Sequence, residues 1–149
     1  MIDTPPGIER TVLAGLSAAE EIILITMPTS PSIADVLKTK IVTERLGRKP
    51  IGVIINLVYG DKGEVAADDI MKMLELPCYG SIPYDEEMRK SFLQEKVAPV
   101  MVRLPNSPSA KAIQRIAARI AGISLEPEKK KSGIGGFFKS LFSIFGKKK

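Results

Sequence analysis

The stretch Ile2-Asp3-Thr4-Pro5-Pro6-Gly7-Ile8-Glu9 decides how the rest of the chain is read. An apolar residue runs into an Asp, the backbone turns through two prolines and a glycine, and a helix-compatible run follows from Glu9 to Ala19. This pattern predicts the end of a buried strand, a loop and a helix. In an open parallel sheet, ligands bind in the crevice beyond the carboxyl ends of the strands, so an Asp there can hold hydrated Mg²⁺ beside phosphates. Gly7 would let a backbone N–H approach an anion closely. As an alternative, Asp3 simply caps the following helix.

Working outward, the same punctuation repeats. Glu21 to Met27 is a continuous apolar run too short for a helix, as expected of a strand covered on both faces, and Pro28 ends it. Ser30 with Pro31, or Ser32 with Asp35, opens a helix carrying Ile33, Val36, Leu37, Ile41, Val42 and Leu46 at helical spacing, with Gly47 as its stop. Pro50 to Leu57 reads as the next strand, with Asn56 near its end. A loop over Gly60 to Gly63, a helix over Ala66 to Leu74 and a short strand over Cys78 to Ile82 follow. Pro83, Tyr84 and Asp85 precede a helix over Glu86 to Gln94. Val97 to Leu104 is predicted to be a short extended segment. Asn106-Ser107-Pro108-Ser109 has the cap-then-proline signature of a last helix, which ends at Gly122. Strands alternating with helices predict a three-layer α/β architecture, a parallel sheet with helices on both faces. Asp3, Met27 with Pro28, Asn56, and Pro83 to Asp85 then share one rim.

Asp-Thr-Pro-Pro-Gly-Ile-Glu resembles the Walker B and switch II segment of the MinD/ParA family of P-loop ATPases. The resemblance continues through the Val-Ile-Ile-Asn run ending at Asn56 and the Ile-Pro-x-Asp turn of Ile82 to Asp85. It implies a P-loop NTPase-like fold in which Asp3 acts on Mg²⁺ through water and Gly7 senses the γ-phosphate. It also implies that Asn56 contacts the adenine edge and that Pro83 and Asp85 border the base. A carboxamide suits that edge because it donates and accepts together. Taken singly, Asn56 and Asp85 are also ordinary strand-end turn formers.

The glycine-rich, Lys-containing phosphate cradle of such enzymes is not among these residues. Gly135, Gly136, Lys139 and Ser140 imitate it, but Phe138 stands where the glycine before the lysine belongs. The resemblance therefore covers the family's C-terminal portion. The expectation is a truncated domain, from a shortened reading frame or a split protein, that alone neither binds ATP tightly nor hydrolyses it.

Seven of the 22 basic residues and two of the 17 acidic ones lie from Ser124 onward, so the tail carries the whole net charge of +5. Residues 1–123 balance 15 basic against 15 acidic side chains and show no excess suited to specific nucleic-acid binding. One Cys excludes an internal disulfide, and the lack of His excludes a histidine metal site or base. No signal peptide or spanning run is evident, so a cytoplasmic protein is expected.

The organisation expected is thus an ATPase portion over residues 1–123, a charged flexible linker over 124–132 and a basic-ended amphipathic helix over 133–149. On a helical wheel Ile134, Phe137, Phe138, Leu141, Phe142, Ile144 and Phe145 share an arc of about 160°, with Lys139, Ser140, Ser143 and Gly146 opposite. Such a helix lies in the headgroup layer of an anionic membrane, here expected to be the inner face of the cell membrane. The alternative is that it docks on its own domain or in a partner groove. A MinD-like ATPase that positions cell-division or other machinery follows, with ATP and Mg²⁺ as cofactors, a homodimer when intact, and an activator protein as a further partner. A non-catalytic membrane adaptor that kept the fold and the tail is the second reading. DNA partition through the basic tail fits poorly, because four phenylalanines on one face suit lipid better than phosphate.

Overall fold

The computed structural model describes residues 1–91 and 99–124. Three strands, β1 (Ile22–Thr26), β2 (Pro50–Val58) and β3 (Cys78–Pro83), form a parallel sheet in the order β1-β2-β3. Between and around them run α1 (Arg10–Ala18), α2 (Ser30–Arg45), α3 (Ala67–Leu74), α4 (Glu86–Ser91), α5 (Val100–Arg103) and α6 (Pro108–Ile120). Ile22 pairs with Pro50 and Thr26 with Ile55, and on the other side Val53 pairs with Cys78 and Val58 with Pro83.

Alternation along the strands sorts the core. Ile22 and Leu24 of β1 and Val53 and Ile55 of β2 turn to one face, where Val12 and Leu16 of α1, Ile33 of α2 and Ile70 and Leu74 of α3 close over them. Each such side chain gains roughly 1.5–3 kcal/mol from leaving water, so this layer holds the sheet together. The opposite face is served by α6. Its Ile116 packs over Gly80, so close that a Cβ on residue 80 would stand 2.7 Å from the Ile116 Cγ1. Helices thus flank both faces of the parallel sheet. Ile25 of β1 also turns to this second face and remains 59% exposed.

Two local expectations are corrected. The residues around Ile2 do not extend the sheet; Ile2 and Thr4 instead lie beside Gly15 of α1, with their Cγ2 atoms 3.5 and 2.9 Å from where its Cβ would stand. The expected extended segment around Val97 to Leu104 contains a helical turn instead: the carbonyl of Pro99 accepts from the N–H groups of Val102 and Arg103. Proline biases the residue before it toward extended backbone but is itself a good helix starter, so the turn begins at Pro99. The expected linker and amphipathic helix, with Phe137, Phe138, Lys139, Leu141, Phe142 and Phe145, lie outside the described residues. No helix among the described residues is long and apolar enough to cross a membrane.

Candidate functional site

All three strands run the same way, so their carboxyl ends gather at one rim, and hydrogen bonds lace the loops there together. At the end of β1, the Ser32 hydroxyl accepts from the Met27 N–H at 3.0 Å and meets the Thr26 hydroxyl at 3.0 Å. The Pro28 carbonyl accepts from Val65 N–H, joining this turn to the loop after β2. At the end of β2, the Asn56 Oδ1 accepts from the N–H of Leu57, which takes a left-handed conformation with φ of 54°. That conformation costs a non-glycine residue about 1–2 kcal/mol, and the surrounding bonds hold it. The Asn56 amide NH₂ makes no hydrogen bond among the described residues. Beyond it, the Glu64 carboxylate accepts from Tyr59 N–H at 2.7 Å and from Gly60 N–H at 3.0 Å, clamping the loop.

The end of β3 lies alongside. Tyr84 N–H donates to the Val58 carbonyl, and the Tyr84 ring stacks on Tyr59 with centroids 4.5 Å apart. Tyr59 remains 58% exposed. The Tyr84 hydroxyl donates to Glu86, whose carboxylate also receives Arg89. Arg89 foremost, and then Tyr84, hold the Glu86 carboxyl down at about 2, and the Glu86 bond in turn raises the Tyr84 phenol. Asp85 uses both its oxygens: Oδ1 accepts from Glu87 N–H at 3.0 Å, and Oδ2 from the Ser109 hydroxyl at 2.7 Å and the Ser109 N–H at 3.3 Å. The Ser109 hydroxyl is the main reason its carboxyl falls to about 2. Asp85 thereby caps α4 and staples the start of α6 to the rim, where Ser107 already accepts from Ala110 N–H as the helix cap.

Asn56, Pro83 and Asp85 therefore share the rim as their sequence positions require. Asp3 and Gly7 precede α1; both are exposed, and Asp3 has no partner among the described residues. Gly7 has φ of 107° with open space where a side chain would stand, a backbone only glycine adopts readily. The Tyr59–Tyr84 stack, the Glu64 clamp and the Asp85–Ser109 bond went unread in the sequence.

A family model described as ParA, a NUBPL iron-transfer P-loop NTPase, matches residues 1–121. The chain belongs to the ParA family. An uncharacterized ATP-binding protein of Methanocaldococcus jannaschii is 37% identical over 145 residues, covering 95% of this chain and 54% of that protein. Among solved structures, the MinD cell division protein of Aquifex aeolicus superposes with a TM-score of 0.74 at 22% identity, over 85% of this chain and 54% of the other. The MinD of Pyrococcus horikoshii in complex with Mg-ADP superposes with a TM-score of 0.71 at 23% identity, over 89% and 50% of the two chains. The fold is that of the MinD-type P-loop NTPase. The chain spans about half the length of the curated relatives it matches.

Proposed function

We propose that the rim of this ParA-family chain is the base-binding side of a MinD-like ATPase, and that its tail carries the membrane contact. The convergence of Asn56, Pro83 and Asp85 at the carboxyl ends of the strands supports this reading most. In it the free amide of Asn56 donates to the purine edge, and Pro83 and Asp85 border the base. Tyr59, held by its stack and by Glu64, walls the same loop. Asp3 would act on Mg²⁺ through water. A single unpaired carboxylate suits Mg²⁺, which keeps most of its waters and takes the rest of its ligands from phosphate oxygens. Bound there, the ion would neutralise phosphate charge. Gly7 would bring its N–H to the γ-phosphate.

The phosphate cradle is not among the 149 residues, so the chain by itself is expected to hold the base weakly. In the complete assembly, ATP drives homodimerisation that presents two tails, and the paired tails grip an anionic membrane far better than one. Positioning of cell-division or other machinery, released by an activator protein, is the cellular role this scheme serves.

Titration of the ¹⁵N-labelled chain with ATP and with tripolyphosphate tests the rim. ATP is expected to move the amide signals of Asn56 to Gly60 and of Tyr84 and Asp85, at millimolar concentration, while tripolyphosphate leaves them in place. Signals that move elsewhere, or a micromolar Mg-ATP affinity of the chain alone, would refute the assignment. For the tail, F138D with F142D is expected to abolish sedimentation with anionic vesicles.

A further inference from the structure

The far end of α6 carries a second feature. Helix α6 begins beside Asp85 at the rim and runs back along β3 to finish near Cys78 and Tyr79, where that strand starts. There a cleft of about 430 Å³ opens between helix and strand, lined by Tyr79, Ala112, Ile116 and Ile123 together with Arg115 and Arg119. The Arg119 Nη1 donates to the carbonyl oxygens of Cys78 and Tyr79 at 3.1 and 3.2 Å, which fixes its guanidinium at the cleft. Arg115, one turn earlier, is exposed and has no partner among the described residues. Like charges one turn apart disfavour a helix, and among the described residues no carboxylate answers them. An anion would.

Beside these cations Ile123, just past α6, lines the same cleft and remains 61% exposed. One guanidinium held in place, a second free one a turn away and the exposed Ile123 form an amphipathic patch, cationic where a phosphate would sit and apolar where acyl chains begin. A dissolved phosphate would use the arginines and leave Ile123 idle. The described residues end here, at Ser124, and the phenylalanine- and lysine-bearing tail follows in the sequence. We propose that the cleft between β3 and α6 seats the phosphate group of an anionic phospholipid, so that the body as well as the tail touches the membrane. This rests on the membrane reading above and adds to it a defined contact on the folded domain.

Sedimentation of the full chain with phosphatidylcholine vesicles, with and without phosphatidylglycerol, tests it. One cation near such a surface is worth about fivefold in affinity, so Arg115→Gln is expected to weaken binding to the anionic vesicles about fivefold and Arg115→Glu further. Lys62→Glu, on the loop at the opposite rim, is expected to change binding less than about twofold. Ile123→Ser provides an independent variant and is expected to weaken binding with Arg115 intact. Binding by Arg115→Gln and Ile123→Ser equal to the wild type overturns the proposal, and so does a loss in Lys62→Glu as large as in Arg115→Glu, which would mean net charge alone. Arg115-dependent binding of inorganic phosphate as tight as that of vesicles would make the site one for a free anion and overturn it too. If F138D with F142D abolishes sedimentation while the Arg115 and Ile123 variants leave it untouched, the tail reading stands and the cleft falls. If the wild type ignores anionic vesicles, both fall.

Discussion

Replacing Asp85 with Ala should unfasten α6 from the rim at the carboxyl ends of the strands, and the cost can be worked from the bonds it makes. The carboxylate receives three hydrogen bonds, from Glu87 N–H, Ser109 N–H and the Ser109 hydroxyl. Charge-assisted bonds of this type are worth about 1.5–3 kcal/mol each in favourable cases, and partial exposure of Asp85 pulls the figure toward the low end. Ser109 is 0% exposed, so its hydroxyl would be left with only the Ser107 hydroxyl at 3.3 Å. A total loss of about 2–4 kcal/mol follows, a fall in Tm of roughly 10 °C for a domain of this size. Paired with Ser109→Ala in a double-mutant cycle, Asp85→Ala should show a coupling of about 1–2 kcal/mol in urea unfolding. The pH dependence supplies a sign. A carboxyl held from its ordinary 3.8 down to about 2 binds its proton more readily in the unfolded chain. The advantage over Asp85→Ala should therefore be whole above about pH 4 and vanish as the pH falls through about 2. A loss under about 0.5 kcal/mol at neutral pH, or an advantage unchanged down to pH 2, would show that the staple carries no weight.

Two further outcomes probe the two ends of the sheet. Of the chain's three tyrosines, Tyr84 should ionise above the ordinary value of 10 in an alkaline absorbance titration, because losing its proton breaks the bond to Glu86 and sets two anions together; Glu86→Gln should bring it back. Gly52→Ala should cost about 1–3 kcal/mol in chemical unfolding, since the new methyl would run into the Tyr79 ring and stand 2.9 Å from the Pro77 carbonyl oxygen; a neutral effect would mean that Tyr79 moves freely over β2.

The parts of the fold that could be read from the sequence are those in which local pattern and global position agree. Ile22–Thr26 and Pro50–Val58 are apolar runs of strand length, and Ser107-Pro108 is a cap followed by a helix starter; each names its own element. From strand order alone, Asn56, Pro83 and Asp85 were bound to meet at one rim. What the sequence withheld is conformational or long-range. Nothing in Asn56-Leu57 announces a left-handed leucine, because local propensity speaks against it and only the bonds of the folded loop sustain it. The Tyr59–Tyr84 stack joins residues 25 positions apart and Asp85–Ser109 residues 24 apart, and no periodicity marks such partners.

Those long-range bonds also give α6 its meaning. Its amino end is tied to the rim through Asp85, its middle is locked to β3 by Ile116 over Gly80, and its last turn reaches back through Arg119 to the carbonyl groups of Cys78 and Tyr79. A helix of 13 residues spans about 20 Å, most of the depth of the sheet, and holds its shape over that length. In the function proposed above, a displacement of Asp85 on filling of the base site would therefore carry along α6 to its arginine-lined end, with no moving part needed between. If nucleotide and membrane binding, as proposed above, influence each other, cutting the staple at Asp85 separates two cases: both survive but no longer influence each other, and α6 is the link; or their mutual influence persists, and it travels by another route.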